Sequence, residues 1–165
     1  QERADGDSLK KQSKKKDKSL SWWKKKYWEN FSIYIRMRDK GVCFTCDKIL
    51  PDFYHRTGKL LPGWKSGQAG HFITAANCGL ALYFHEKNVH CQCYYCNVNL
   101  SGNWISYEKK IIEVYGQETC DELKCLKWEG NVKYSIEDYK EMNESIKNKI
   151  KIIELYRYSY LEKAV

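Results

Sequence analysis

The sequence predicts an α+β fold in which a small core of short strands is stapled by a metal ion and flanked by helices. Two observations lead to this fold class. Two Cys-x-x-Cys pairs, Cys43/Cys46 and Cys93/Cys96, enclose 46 residues in which Gly and Pro punctuate short apolar stretches. Outside the pairs, apolar residues recur at the three- and four-residue spacing of amphipathic helices, the last of them long.

Charge distribution limits the kind of partner. The chain has 165 residues, enough for one domain with a modest core and extensions, and a net charge of +8. Residues 1–40 hold 13 Lys and Arg against 6 Asp and Glu, whereas residues 41–165 hold 16 against 15. Such a block indicates a polyanionic partner, either nucleic acid or an anionic membrane surface. A solubilising tail is the plainer alternative.

Cysteine usage and hydropathy bear on location. No apolar run is long enough to cross a membrane, and no apolar segment of a signal peptide follows the first residues. A reducing compartment is therefore expected. There, Cys-x-x-Cys pairs favour metal or redox chemistry over structural disulfides.

The N-terminal part predicts a basic tail followed by one helix. Residues 1–19 lack a hydrophobic face and are expected to be disordered when free. Aromatic residues at helical spacing predict a helix from about 21 to 39, with Gly41 as its stop. Its basic flank is a candidate phosphate-contacting surface, formed by Lys24, Lys25, Lys26, Arg36 and Arg38.

The remaining elements follow from turn signals and periodicity. Residues 51–67 are rich in Pro and Gly and predict a loop or hairpin. Short strands are predicted over Ala69–Ala75 and Asn88–Gln92, joined by a connector. A helix that ends near Gly116 should follow the second cysteine pair, and a shorter one should cover 117–127.

The C-terminal part predicts one long helix over about 135–161. Ser135 is suited to be its N-cap, with Asp138 close to the N3 position. Its partly heptad-like pattern fits a lid or a dimerising arm. The predicted organisation is then a tail (1–19), a core domain (20–130) and a helical extension (131–165).

The four paired cysteines predict a structural zinc site. Soft thiolates in a tetrahedral set of four select Zn²⁺ and leave no open position for chemistry. A disulfide or a redox dithiol is the alternative, and two pairs in a reducing compartment favour zinc. Cys78 and Cys91 are ambiguous between buried side chains and substitute ligands.

Between and beside the pairs lies a constellation suited to phosphodiester hydrolysis. That reaction needs a base to activate water, a divalent cation to neutralise charge, and a group that orients the base. His71, on a predicted strand, is the candidate base, although a lone histidine is more often a packing residue. Asn88 is the candidate orienting residue. Asn97, directly after Cys96, is a candidate ligand for Mg²⁺ or Mn²⁺, which prefer oxygen.

These motifs together resemble a known family. An asparagine shortly before a Cys-x-x-Cys is found in zinc-bearing HNH (ββα-metal) nucleases, and the whole order resembles the NinG/Rap family of phage recombination proteins over residues 22–128. The segments that carry the resemblance are Tyr34-Ile35-Arg36-Met37-Arg38-Asp39, Cys43-x-x-Cys46, Ala69-Gly70-His71-Phe72, Asn88-Val89-His90-Cys91-Gln92-Cys93-x-x-Cys96-Asn97 and Leu100-Ser101-Gly102-Asn103. The resemblance implies an HNH-like core and a metal-dependent, structure-selective endonuclease. It would act on branched DNA such as Holliday junctions and D-loops, as a phage protein in the host cytoplasm.

One position departs from the wider nuclease pattern. Many HNH enzymes carry a metal-binding Asp or His directly before the base, where this chain has Gly70, which has no ligating side chain. Asp52, Gln68, His90 and Asn97 are the candidates to complete the ligand set. His90 is foremost among them because it shares a strand face with Asn88. For His90, the alternatives are zinc ligation and simple packing.

Two other functions remain open at this point. A non-catalytic zinc module that binds DNA or protein explains the cysteines and the charge, and Gly70 supports it. A thiol oxidoreductase would need a reactive Cys of low pKa at a helix N-terminus, and it leaves one cysteine pair without a role. The nuclease remains the first prediction, and paired cuts in a junction favour a two-fold homodimer.

Overall fold

The fold is α+β, as predicted, with two small antiparallel sheets and a long C-terminal helix. The computed structural model describes residues 18–127 and 132–162, so residues 1–17 of the predicted tail lie outside the described residues. In chain order, the elements are α1 (Leu20–Arg38), β1 (Phe53–Tyr54), β2 (Leu60–Leu61), β3 (Gln68–His71), α2 (Leu80–Tyr83), β4 (Val89–Gln92), α3 (Trp104–Tyr115), α4 (Gln117–Leu126) and α5 (Ile136–Glu162).

Helix α1 confirms the predicted aromatic-basic helix. The Ser19 hydroxyl accepts a hydrogen bond from the Trp22 N–H at 3.3 Å and so caps the first turn. After Arg38 the backbone turns left-handed at Lys40 (φ 54°) and Gly41 (φ 70°), which ends the helix where the glycine predicted it. The buried face is apolar and consists of Tyr27, Phe31, Tyr34, Ile35 and Met37.

Strands β3 and β4 form the central sheet, with His71 opposite Val89 and Gly70 opposite His90. The second predicted strand is confirmed, but the first ends at His71 rather than Ala75. The strand stops there because Asn88, a residue distant in sequence, binds the next two residues. The Phe72 N–H bonds the backbone oxygen of Asn88, and the Ile73 N–H bonds its side chain.

Helices cover both faces of this sheet. Cross-strand neighbours point to one face and alternate residues to the other, so His71 and Val89 share one face while Gly70 and His90 share the opposite one. On the first face, Val89 packs with the buried side of α1. On the second, β3 and β4 lie against α3, whose Tyr107 is fully buried and donates its hydroxyl to the Gly70 backbone oxygen at 3.0 Å.

The long helix α5 is confirmed, together with its predicted cap. The Ser135 hydroxyl accepts from the Asp138 N–H at 3.1 Å, and the Asp138 carboxylate accepts the Ser135 N–H at 2.7 Å, which is a capping box with Asp in the N3 position. Its buried Tyr139 and Ile146 belong to the same hydrophobic cluster as the buried face of α1. Much of its apolar stripe is therefore used inside the subunit.

Smaller features complete the scaffold. The predicted loop or hairpin contains β1 and β2, and the connector before β4 contains the short helix α2, which periodicity alone did not reveal. Helices α3 and α4 confirm the two helices predicted after the second cysteine pair. None of the helices in the described parts of the chain is long and apolar enough to cross a membrane.

Candidate functional site

The four predicted cysteines meet in space and can bind a metal ion. The Sγ atoms of Cys43, Cys46, Cys93 and Cys96 all lie within 4.8 Å of one another, and Cys46 and Cys93 are 3.9 Å apart. Four thiolates around Zn²⁺ at 2.3 Å stand about 3.8 Å from each other. The donor set and its spacing therefore fit zinc.

Two turns position the cysteines. In the first, the Asp47 N–H bonds the Cys43 backbone oxygen at 2.8 Å, and the Phe44 N–H bonds the Cys91 backbone oxygen at 2.8 Å, which ties the turn to β4. In the second, Cys96 lies in a π-helical turn, Tyr95–Asn99, directly after β4. The two pairs, 46 residues apart in sequence, are thus brought together by the sheet between them.

Hydrogen-bond donors surround the sulfur atoms. The Thr45 hydroxyl lies 3.4 Å from Cys43 Sγ, and the Cys96 N–H points to Cys93 Sγ at 3.4 Å. Burial raises the pKa of Cys43, but hydrogen bonds from Thr45 and backbone groups outweigh it and lower this pKa to about 7. Such donors favour the thiolate form that binds metal.

Asn103 is a contact of the metal centre that the spacing of the cysteines did not identify. Ser101, Gly102 and Asn103 all adopt positive φ (49°, 92° and 49°), a sharp turn for which Gly and Asn are suited. The turn brings Asn103 Nδ2 to 3.6 Å from Cys96 Sγ. The sequence motif Leu100-Ser101-Gly102-Asn103 was a signal for this turn, but not for its contact with sulfur.

His71 lies at the end of β3 in an aromatic pocket. Its ring stacks on Trp28 of α1, with 5.1 Å between centroids, and lies 4.9 Å from the Tyr83 ring. Its Nε2 is 3.0 Å from the Tyr83 backbone oxygen, so Nε2 carries the proton and Nδ1 keeps its lone pair. Burial lowers the pKa of His71, which keeps the ring neutral near pH 7.

Asn88 does not touch the His71 ring, which the sequence had predicted it to orient. Its fully buried side chain accepts the Ile73 N–H at 2.8 Å and donates to the backbone oxygens of Ile73 (3.2 Å) and Leu82 (3.0 Å). It therefore fixes the loop that follows His71 and the end of α2. Trp28 and the Tyr83 backbone hold the ring itself.

His90 is buried and bridges two tyrosines of α3. Tyr107 donates to the Gly70 oxygen, so its oxygen accepts from His90 Nδ1 at 3.0 Å, and His90 Nε2 accepts from the Tyr115 hydroxyl at 2.8 Å. Its ring also stacks on Phe44 at 3.7 Å. Both ring nitrogens are thus used inside the protein, an arrangement that favours packing over metal ligation.

Asn97 lies beside Gly70, away from His71. Its Nδ2 donates to Gln68 Oε1 at 2.5 Å, and a Cβ at Gly70 would come within 2.8 Å of its Oδ1. The same Cβ would collide with Gln92 Oε1, which is buried and accepts no hydrogen bond. Gly70 is therefore required by space, because the Gln92 carboxamide fills the position of any side chain there.

The structure separates the predicted constellation into two groups. His71 faces α1, whereas Gly70, His90 and Gln92 lie on the opposite face of the sheet, towards α3. A metal site of three or more His, Cys, Asp or Glu ligands occurs once within residues 18–127 and 132–162, at the four cysteines. His71 is therefore not part of any such ligand group within the described residues. The carboxylate of Asp52, a candidate metal ligand in the sequence, accepts a hydrogen bond from the Gly63 N–H at 2.7 Å.

The predicted DNA-contacting cations also divide into two groups. The Arg38 guanidinium donates to Asp39 and to the backbone oxygens of Glu86 (2.8 Å) and Val89 (3.0 Å), and Arg36 donates to the Ser32 oxygen at 2.9 Å. Both arginines serve packing. The Lys24 and Lys25 side chains are exposed, and Lys24 Nζ lies 5.5 Å from the centre of the Tyr83 ring, next to the His71 pocket.

The buried His90 predicts a pH-dependent stability. Burial, and then the charge of Arg38, lower its pKa to about 2, so the folded protein keeps His90 neutral while the unfolded chain binds a proton below about pH 6.5. The stability that the neutral His90 contributes is fully present above about pH 6.5 and is lost as the pH falls. We expect this loss to reduce the free energy of unfolding by about 1.4 kcal/mol between pH 7.5 and 5.5.

Denaturant unfolding of the wild type and of His90→Gln at both pH values checks this prediction. His71, His85 and the cysteines are present in both proteins, so their pH effects cancel in the difference. The wild type should lose more stability than the variant by that amount. Parallel pH dependences would contradict the prediction.

The family model and the relatives that match this chain carry the same family name. A family model described as NinG, Bacteriophage Lambda NinG protein, matches residues 1–155. The chain is 30% identical to Protein ninG of Escherichia phage lambda over 135 residues, 81% of this chain and 58% of that protein. It is 32% identical to Protein ninG of Escherichia phage 933W over 108 residues, 65% of this chain and 47% of that protein. It is also 32% identical to Protein ninG of Salmonella phage P22 over 108 residues, 65% of this chain and 46% of that protein. No solved structure matches. The chain thus spans about half the length of the curated relatives it matches.

Proposed function

The chain belongs to the NinG family of phage proteins, and from this premise and the geometry of His71 we propose that it is a structure-selective DNA endonuclease. The substrate class is branched recombination intermediates, such as Holliday junctions and D-loops. The observation that carries the proposal is a neutral histidine with one nitrogen fixed by a backbone oxygen and the other left with its lone pair.

The proposed reaction assigns a role to each group around this histidine. Nδ1 of His71 takes a proton from the attacking water, while the Tyr83 backbone oxygen holds the proton on Nε2 and so fixes the tautomer. Trp28, stacked on the ring, fixes its plane and shields it from bulk water. Asn88 fixes the following loop. Strand β3, strand β4 and helix α3 occur in this chain order, with the short helix α2 in the connector between the strands, and this ββα order is the support for an HNH-like core.

Zinc at the four cysteines has a structural role in this proposal. Four thiolates leave no position for water or substrate, so the ion holds the two turns and the strands together. A divalent cation such as Mg²⁺ or Mn²⁺ supplies charge neutralisation at the scissile phosphate in nucleases that use one. Because the described residues around His71 do not form such a site, the cation requirement is decided by assay.

Lys24 and Lys25 are the proposed first contacts with DNA. Phosphate contacts by Lys release counterions, so each contact steepens the salt dependence of binding by about 0.9 in log K against log salt. We expect the double variant Lys24→Gln/Lys25→Gln to bind a four-way junction more weakly and with a slope shallower by about 2. Fluorescence anisotropy at several salt concentrations measures both effects.

The matched control for this charge removal is Lys147→Gln/Lys151→Gln on α5, which removes the same charge elsewhere. Lys147 pairs with Glu144, and Lys151 is exposed. If both double variants change the slope equally, α1 is not the DNA contact. A general effect of net charge would then explain the binding.

A cleavage assay tests the function itself. A labelled four-way junction and a linear duplex of matched sequence are incubated with the protein, with and without Mg²⁺ or Mn²⁺. The proposal expects cutting of the junction in preference to the duplex.

A non-catalytic zinc module that binds DNA is the second candidate. It is favoured by one observation, the lack of a described ligand group for a catalytic cation beside His71. Junction binding without cutting in either metal would select it over the nuclease.

A further inference from the structure

The segment from the second cysteine pair to the start of α3 exposes an unusual number of apolar side chains. Tyr94 (61% exposed), Tyr95 (60%) and Trp104 (61%) are its three rings. The other exposed apolar side chains of this segment are Val98, Leu100 and Ile105. We call these three side chains and the three rings the knuckle patch. All six lie within 12 residues.

Backbone hydrogen bonds hold the residues of this segment close together. The Leu100 N–H bonds the Tyr95 oxygen at 2.9 Å, and the Gly102 N–H bonds the Cys96 oxygen at 3.0 Å, so the segment folds back on itself before α3 begins. The metal centre holds the same turn through Cys96. The patch is therefore a rigid projection of the core, which favours its use as a docking surface.

The composition of the patch does not fit the DNA backbone. From Asn88 to Tyr107 there is no Lys, Arg, Asp or Glu, in a chain whose net charge is +8. Binding to phosphates depends on cations. The exposed lysines Lys24 and Lys25 lie on α1, which covers the other face of the β3–β4 sheet. A neutral aromatic surface rimmed by charges of both signs is instead the composition of a protein interface.

Such a rim is present on the next turns of α3. Lys110 pairs with Asp47 at 3.1 Å, and Glu108 pairs with Lys124 at 2.7 Å. Both signs occur close together, which allows two identical surfaces to face each other without net repulsion.

We propose that the knuckle patch is the interface of a two-fold homodimer, with Trp104 at its centre. The three rings are about three-fifths exposed and alone would bury roughly 250–450 Å² per subunit. With the aliphatic side chains and the rim, this approaches the about 800 Å² per partner of a stable interface. The pairing leaves His71 and the lysines of α1 uncovered in both subunits.

In the proposed nuclease, this dimer carries two active sites in one particle. Only this use of the dimer rests on the proposed function, and the interface itself does not. It also replaces the long C-terminal helix as the expected dimerising element. Much of the apolar stripe of α5 is buried against α1, although Ile152 and Leu155 remain exposed near its end.

Sedimentation equilibrium of the zinc-loaded protein without DNA tests the interface separately from catalysis. We expect a dimer for the wild type and at least a hundredfold weaker association for Trp104→Glu. Tyr95→Glu is a second variant in the patch, and Leu155→Glu on α5 is the matched control, expected to remain dimeric. Zinc content and the far-UV circular dichroism spectrum, unchanged in all three, show that the variants are folded.

Three results would overturn the proposal. The first is a wild type that remains monomeric at about 100 µM, because its association would then be weaker than a standard interface allows. Dissociation by Leu155→Glu, with no effect of Trp104→Glu, would move the interface to α5. A monomeric wild type whose junction binding is lost in Trp104→Glu would assign the patch to unpaired bases, on which aromatic rings stack.

Discussion

Replacement of His71 by Ala should lower the rate of junction cleavage at least a hundredfold while DNA binding and zinc content stay unchanged. A positioned general base contributes about 10²–10⁴-fold to a rate. His90 has both nitrogens bonded to tyrosines on the opposite face of the sheet. Single-turnover cleavage of a labelled four-way junction measures the effect.

The matched control for this variant is His55→Ala in the β1–β2 hairpin. His55 is exposed, and its Nδ1 lies 2.9 Å from the Thr57 hydroxyl, so its loss removes an imidazole without disturbing the core. The control should cut at the wild-type rate. Undiminished cutting by His71→Ala would remove His71 as the base, whatever the control does.

The pH profile separates a base from a packing role for His71. Burial lowers the pKa of this side chain, so the neutral, active form should persist to a lower pH than for a free histidine. The wild-type rate should therefore fall on acidification with an apparent pKa below 6.5. If the residual rate of the His71→Ala variant falls on acidification in the same way as the wild-type rate, another group causes that fall.

The sequence predicted most helices and the metal centre because their signals are local. Helical spacing and the capping residues Ser135 and Asp138 placed α1 and α5, and the Cys-x-x-Cys pairs placed the metal centre. Each helix signal and each cysteine pair lies within one or two turns of the chain, although the two pairs meet only through the sheet between them. Strand β3 was predicted too long because its end depends on Asn88, 15 residues further on, whose side chain draws Ile73 out of the sheet.

The candidate active site could be predicted only in part, because it is assembled from distant elements. Trp28 on α1 reaches His71 only after the sheet packs on that helix. Strand alternation places His90 and Asn88 on one face of β4, whereas the face that carries His71 follows only from the pairing of β3 with β4. Gly70 was read as a missing ligand, whereas the structure gives a steric reason, the Gln92 carboxamide packed over its Cα.

Replacement of Cys96 by Ser should have the largest effect on stability. Cys96 is 1% exposed, and its sulfur belongs to the four-cysteine group that brings the turn after β4 next to the turn before β1. Structural zinc contributes about 10–16 kcal/mol in zinc-finger peptides. The whole stability of a domain is about 5–15 kcal/mol. Loss of one of four thiolates should therefore release zinc and unfold the core.

Metal analysis and thermal melting check this result, with Cys125→Ser as the matched control. Cys125 is exposed on α4, outside the four-cysteine group, so its replacement removes a thiol without touching the metal centre. The control should keep one zinc per chain and the wild-type melting temperature. A Cys96→Ser protein that also kept both would show that these four cysteines do not hold a structural ion. The fold would then depend on hydrophobic clusters away from the cysteines, one between α1 and α5 and another formed by Phe72 with α2, α3 and α4.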